Sequence, residues 1–96
     1  MNEQIRHFLD AEGRLKVFPA KRKRKIHVLF YLAGKFEPGV VYSEHQVNEL
    51  LLLWHTFGDP ATLRRELYDY RFLNRSADGR TYCLAPVQPT LEDLIS

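Results

Sequence analysis

Residues 42–71, YSEHQVNELLLLWHTFGDPATLRRELYDYR, hold the signals that decide the fold. Ser43 with Gln46 is a capping-box pair. The hydroxyl accepts from the N–H three residues on, and the Gln46 side chain reaches back to the Ser43 N–H. Tyr42 and Val47 are spaced for a hydrophobic staple across that start. Val47, Leu50, Leu51 and Trp54 then recur at i, i+3, i+4 and i+7, one buried helical face. Gly58 ends the pattern. Asp59 caps well and Pro60 suits a first helical position, so a second helix opens there, with Leu63, Leu67 and Tyr70 toward the core. Two capped helices joined by a short glycine-containing turn predict a helix-turn-helix, whose second helix can enter a DNA major groove.

On the N-terminal side, Asn2 can cap a short first helix carrying Ile5, Phe8 and Leu9. Asp10-Ala11-Glu12-Gly13 is turn chemistry. Leu15-Lys16-Val17-Phe18 reads as a short extended segment stopped by Pro19. The run Lys21, Arg22, Lys23, Arg24, Lys25 precedes the apolar stretch Ile26 to Phe36. There Ile26, Leu29, Phe30 and Ala33 share a face that Val28 and Leu32 broaden, which predicts the central core helix. Glu37-Pro38-Gly39 is a turn, and Val40-Val41-Tyr42 is β-like.

On the C-terminal side, Phe72 to Arg75 and Arg80 to Leu84 are strand-like, with the hairpin signal Asp78-Gly79 between them. Pro86 and Pro89 end regular structure. Thr90-Leu91-Glu92-Asp93 is a capping box for a tail helix with Leu91, Leu94 and Ile95 on one side. The predicted fold is therefore α+β, a winged-helix-like helix-turn-helix domain with a C-terminal β-hairpin wing whose strands could pair with Val40–Tyr42. Residues 1–96 make one domain, with its core at about 15–84 and short terminal helices outside it.

Composition bounds the function. The chain is 45% hydrophobic and 27% charged, ordinary globular material. No apolar run approaches the roughly 20 residues needed to span a membrane. Glu3, Arg6 and Asp10 break up any signal-peptide-like run. The single Cys83 fits a reducing compartment, so the expected location is the cytoplasm. Residues 1–35 hold nine Lys/Arg against three Asp/Glu, a net of +6, and residues 36–96 hold five against nine, a net of −4. The asymmetry predicts one basic face and a polyanion partner. The basic run sits at the helix end where the dipole disfavours cations. It therefore calls for a counter-charge, either Glu44 or Glu49 on this chain or an external phosphate.

On the Pro60–Arg71 helix, Arg65 points opposite to Leu63, Leu67 and Tyr70. It is the base-edge candidate, because a guanidinium matches guanine O6 and N7. Thr62 flanks it, and Arg64, Tyr68 and Arg71 suit phosphates. Arg75 and Arg80, on opposite arms of the hairpin, suit backbone-positioning contacts. With Lys21, Arg22, Lys23, Arg24 and Lys25 these make the candidate double-stranded-DNA-binding set. The competing expectation pairs Arg65 with Asp69, and Glu66 with Arg64 or another cation. The domain would then be an accessory module that binds a regulator protein. His7, His27, His45 and His55 have no metal-ligand spacing, and no nucleophile motif or glycine-rich phosphate loop is present, so neither a cofactor nor enzyme activity is expected. His27 and His55 read as structural, and Trp54, Phe57 and Phe72 as core. The two terminal apolar stripes are expected either to pack on the same chain or to form a homodimer.

The stretches Phe18-Pro19-Ala20-Lys21-Arg22-Lys23, Tyr42-Ser43-Glu44-His45-Gln46-Val47-Asn48, Leu63-Arg64-Arg65-Glu66-Leu67 and a closing Gly79-x-x-Tyr82 resemble the bacterial domain-of-unknown-function family 2087 (DUF2087). The resemblance spans about residues 8–84. It implies a bacterial cytosolic protein in a regulatory neighbourhood, since the family occurs alone and fused behind ArsR-type helix-turn-helix regulators. It carries no mechanism. Two positions depart from the family pattern: the loop Thr56-Phe57-Gly58 is longer than usual, and Cys83 stands where an aromatic is common.

Overall fold

The computed structural model describes residues 4–95. A 3-10 turn, Arg6–Phe8, precedes α1 (Arg22–Ala33), β1 (Tyr42–Ser43), α2 (Glu44–Leu53), α3 (Pro60–Asp69), β2 (Leu73–Arg75), β3 (Thr81–Leu84) and α4 (Leu91–Ile95). The fold is mixed α+β, with four α-helices and one small antiparallel sheet among the described residues. The last strand in sequence is the central one, in the order β1-β3-β2. Tyr42 lies opposite Tyr82 and Ser43 opposite Thr81; on the other side Leu73, Asn74 and Arg75 face Leu84, Cys83 and Tyr82.

The start of α2 follows from its sequence. The Ser43 hydroxyl accepts from the Gln46 N–H at 3.0 Å, and the Gln46 side-chain oxygen accepts from the Ser43 N–H at 2.8 Å. For α3, Asp59 accepts from the Thr62 N–H at 3.2 Å with Pro60 in the first turn. For α4, Thr90 and Asp93 make the reciprocal pair, each bond 3.1 Å. At the hairpin, Gly79 takes the left-handed conformation at φ +74. A side chain would be strained there, which is why the Asp-Gly pair marks the turn.

Several boundaries differ from the sequence reading. Among the described residues the N-terminal segment forms a single 3-10 turn, because so few residues cannot repay helix nucleation. Ile5 is nevertheless buried, with Phe8 and Leu9 packed against the core. The proposed Asn2 cap lies outside the described residues. The Leu15–Phe18 segment forms no strand: Leu15 makes isolated bridges to Leu9 and His55, the Lys16 N–H bonds to the Phe8 carbonyl at 2.7 Å, and Val17 is exposed. The core helix starts at Arg22, inside the basic run, and ends at Ala33 rather than Phe36. The expected strand Val40–Tyr42 shifts to Tyr42–Ser43, leaving Val41 exposed. Strand β2 begins at Leu73, because the Phe72 N–H is bonded to the Leu67 carbonyl at 2.9 Å, finishing α3.

Between α2 and α3 the chain spans residues 54–59, and a buried histidine closes it. His55 Nδ1 lies 2.6 Å from the Leu51 carbonyl, and its Nε2 lies 2.9 Å from the Asp59 N–H. A carbonyl only accepts and a backbone N–H only donates, so the ring is held as the neutral Nδ1–H tautomer. Leu15, fully buried, donates its N–H to the Trp54 carbonyl at 2.8 Å and accepts from the Thr56 N–H at 2.9 Å. Phe57 departs from expectation: it stands exposed, its ring edge-on to His55 at 4.6 Å. Trp54 is half-buried beneath Lys35, whose ammonium lies 3.9 Å from the ring centroid. Phe72 is core as expected, joined by Leu29, Leu32, Val47, Leu51, Leu63, Leu67 and Tyr82. On the tail, Leu94 packs on the core and its carbonyl accepts from Arg22 at 2.7 Å, so α4 docks on its own chain.

Three outcomes are expected. Replacing His55 with Ala removes both turn hydrogen bonds and leaves a hole beside Leu51, costing about 2–4 kcal/mol in chemical denaturation. Deleting residues 90–96 lowers the melting temperature, because Leu94 leaves the core and Arg22 loses its acceptor; an unchanged melting temperature would contradict that docking. Asp59 sits below its ordinary 3.8, chiefly through the side-chain and backbone hydrogen bonds of Thr62. A depressed folded value means its contribution is complete above the unfolded value and is lost as pH falls through the folded one. Acid titration of Asp59→Asn, which keeps a capping oxygen that does not ionise, should therefore show a shallower stability loss below pH 3.8 than the parent.

Candidate nucleic-acid interface

The outer face of α3 follows from what its inner face buries. Leu63 and Leu67 are fully buried, which leaves Ala61, Arg65, Tyr68 and Asp69 exposed. Arg65 makes no ion pair with Asp69 or any other carboxylate among the described residues. Its charge is felt at Asp59, where it adds to the larger effect of the Thr62 hydrogen bonds in lowering that carboxyl. Asp69 pairs with nothing on its own helix either, so the expected Arg65–Asp69 bridge does not form.

Arg64 behaves differently from Arg65. Its side chain is only 17% exposed, wedged between α2 and α3. It donates to the Asn48 side-chain oxygen, approaches Glu44 at 3.9 Å and lies 5.9 Å from the Tyr82 ring centroid. Asn48 is the residue that sequence reasoning missed, and a signal for it existed: Glu44 and Asn48 are i, i+4 on α2. Glu44 thus serves Arg64 and not the basic run, while Glu49 lies beside His45 at 3.8 Å. Thr62 donates its N–H to the Asp59 carboxylate, so it is held inside the N-terminal cap of α3.

The basic run forms the first turn of α1 and has no side-chain cap. Two of its cations turn inward toward α3. Lys25 pairs with Glu66 at 3.5 Å, each side chain 23% exposed, so the partner of Glu66 is on another helix and is not Arg64. Arg22 stacks 5.4 Å from the Tyr70 ring centroid while holding the Leu94 carbonyl. Lys21, Lys23 and Arg24 are exposed and have no side-chain partner among the described residues. The adverse end of the helix dipole is thus compensated at Lys25 and Arg22 and left uncompensated at the other three.

On the opposite flank, the Arg75 guanidinium sits 4.7 Å from the Tyr68 ring centroid, tying β2 to the exposed face of α3. Arg80 reaches only Asp78, at 3.9 Å between largely exposed side chains. Arg71, directly after the α3 cap, is exposed. The geometry therefore brings Arg65, Tyr68, Arg71 and Arg75 to one side around α3, with Arg22 and Lys25 on its α1 edge. It diverts Arg64 and Thr62 into packing and capping. No group of three or more metal-ligating side chains occurs among the described residues, and no helix there is long and apolar enough to cross a membrane.

No curated protein and no solved structure matches this chain. A family model does match, over residues 14–84, which takes in α1, the α2–α3 pair and the whole sheet. The protein belongs to DUF2087, a family described as an uncharacterised protein conserved in bacteria.

Proposed function

We propose that this chain is a small winged-helix DNA-binding domain of a transcription regulator, with α3 facing the major groove and the β2–β3 hairpin as the wing. The observation that carries the reading is Arg65, exposed at the centre of the outer face of α3 and outside any ion pair among the described residues. The element order α1-β1-α2-α3-β2-β3 with sheet order β1-β3-β2 supports it, because it sets a hairpin beside the second helix of the pair. Arg65 would read a guanine edge. Lys21, Lys23, Arg24 and Arg75 would hold phosphates, and Arg80 the flank of the hairpin. A symmetric dimer would present two such helices to two half-sites, with the exposed Leu91 and Ile95 of α4 as apolar surface for it.

A second reading, a regulator-binding accessory module, draws on a different observation. Leu53 is 68% exposed and Leu52 45%, and Phe57 is exposed in the turn that follows. Apolar side chains clustered at one helix end suit a protein partner.

Binding to a labelled random duplex separates the two. Phosphate-dominated affinity should fall steeply between about 50 mM and about 200 mM salt. Arg65→Ala should relax discrimination between a selected site and random duplex by roughly 1–3 kcal/mol. No binding at the lower salt would leave the accessory module as the surviving reading.

A further inference from the structure

Arg71 has φ +70, the one non-glycine residue with a positive φ among the described residues; the other four such positions are Gly13, Gly39, Gly58 and Gly79. The reason is the way α3 ends. The Arg71 N–H bonds to the Tyr68 carbonyl at 3.0 Å and the Phe72 N–H to the Leu67 carbonyl at 2.9 Å. This is a Schellman closure, and it puts Arg71 where glycine is the favoured residue. A Cβ there crowds the backbone. Local stability therefore selects against the residue the chain carries.

Within the described residues the C-terminal dipole of α3 favours a cation at Arg71, a smaller effect that offsets only part of that cost. The guanidinium of Arg71 has no hydrogen bond, ion pair or ring contact there, and its side chain is exposed. It lines a cleft of about 310 Å³ between the end of α3 and β2, together with Tyr68, Asp69, Leu73 and Asn74. Among its lining residues Tyr68, Arg71 and Asn74 carry hydrogen-bond donors. Arg75, stacked on the Tyr68 ring, adds a second cation beside it. Asp69 and the negative end of the α3 dipole are the opposing charges.

We propose that this cleft is a phosphate subsite that takes one backbone phosphate of duplex DNA, with Arg71 as its anchor and Tyr68 and Asn74 as added donors. It rests on the DNA-binding reading above and names where the strand is held. A guanidinium suits the task because it presents two parallel N–H groups to a phosphate. Asp69 keeps the cleft from holding a small free anion tightly, so occupancy depends on the other phosphate contacts of a duplex.

The test uses the full chain and labelled random duplex across a salt series, with Arg71→Gly, Arg71→Lys and Asp69→Asn, and inorganic phosphate as competitor. Arg71→Gly should melt at the parent temperature or up to about 5 °C higher, since glycine relieves the backbone. It should bind duplex roughly 3- to 10-fold more weakly. Its plot of log affinity against log salt should be shallower by about 0.9, the signature of one lost phosphate contact. Arg71→Lys should keep the salt slope, and Asp69→Asn should bind more tightly. Millimolar phosphate should compete weakly with the parent and less with Arg71→Gly. An Arg71→Gly protein with parental affinity and slope overturns the subsite while leaving DNA binding standing. A lowered melting temperature assigns Arg71 a structural role and overturns it too, as does phosphate competition unchanged in Arg71→Gly. A parent protein that binds no duplex overturns the DNA-binding reading itself, and the subsite with it.

Discussion

The pinning of the α2–α3 turn by His55 and Leu15 is the constraint on which the remaining geometry depends. The turn runs over 54–59 and, left to itself, would allow many crossings of the two helices. His55 joins the last turn of α2 to the cap residue of α3 through one ring. Leu15 crosses behind it with two backbone bonds and a side chain sealed in the core. The N-terminal segment is thus part of the hinge between the helices. With the crossing fixed, Leu51, Leu63 and Leu67 meet in one core, and the outer face of α3 has one orientation. Within a turn that is otherwise largely exposed, the buried imidazole meets one carbonyl and one N–H.

What could be read from the sequence was local chemistry. The Ser43–Gln46 box, the Asp59–Pro60 start, the Thr90–Asp93 box and Gly79 each need only a few adjacent residues, and each stands where it was expected. The family was legible for the same reason, from short stretches such as Leu63-Arg64-Arg65-Glu66-Leu67. The partners of the charged side chains were not legible. Arg64 finds Asn48 and Glu44, and Glu66 finds Lys25, across gaps that only the packed helices close. Sequence spacing favoured i, i+4 pairs on one helix, but helix packing supplied better partners. The left-handed backbone at Arg71 was hidden too, since nothing in an arginine announces it.

Charge in this protein is divided between two uses. Lys25 and Arg22, on the inner side of the first turn of α1, are drawn into contact with Glu66, Tyr70 and the tail. Lys21, Lys23 and Arg24 stay in solvent. The first pair secures α1 against α3, and the others sustain a positive field at the same end of the helix. A run of five cations in sequence is therefore not five equivalent binding groups. Its contribution to any polyanion contact is nearer three, with the inner two positioning the helix that carries them.

The sheet has a consequence for how the chain acquires its shape. Its central strand, β3, is made last, and its partner β1 is made before the helix pair. Tyr82, opposite both Tyr42 and Arg75, is the buried residue that joins the two edges. A growing chain that ends before residue 81 can cap its helices but cannot form any sheet. Its Leu73 and Tyr42 wait without strand partners. Such long-range pairing delays cooperative folding until β3 has been made. The surface around α3 would then appear all at once, after residue 84 has been added, and no nascent form lacking β3 would display it.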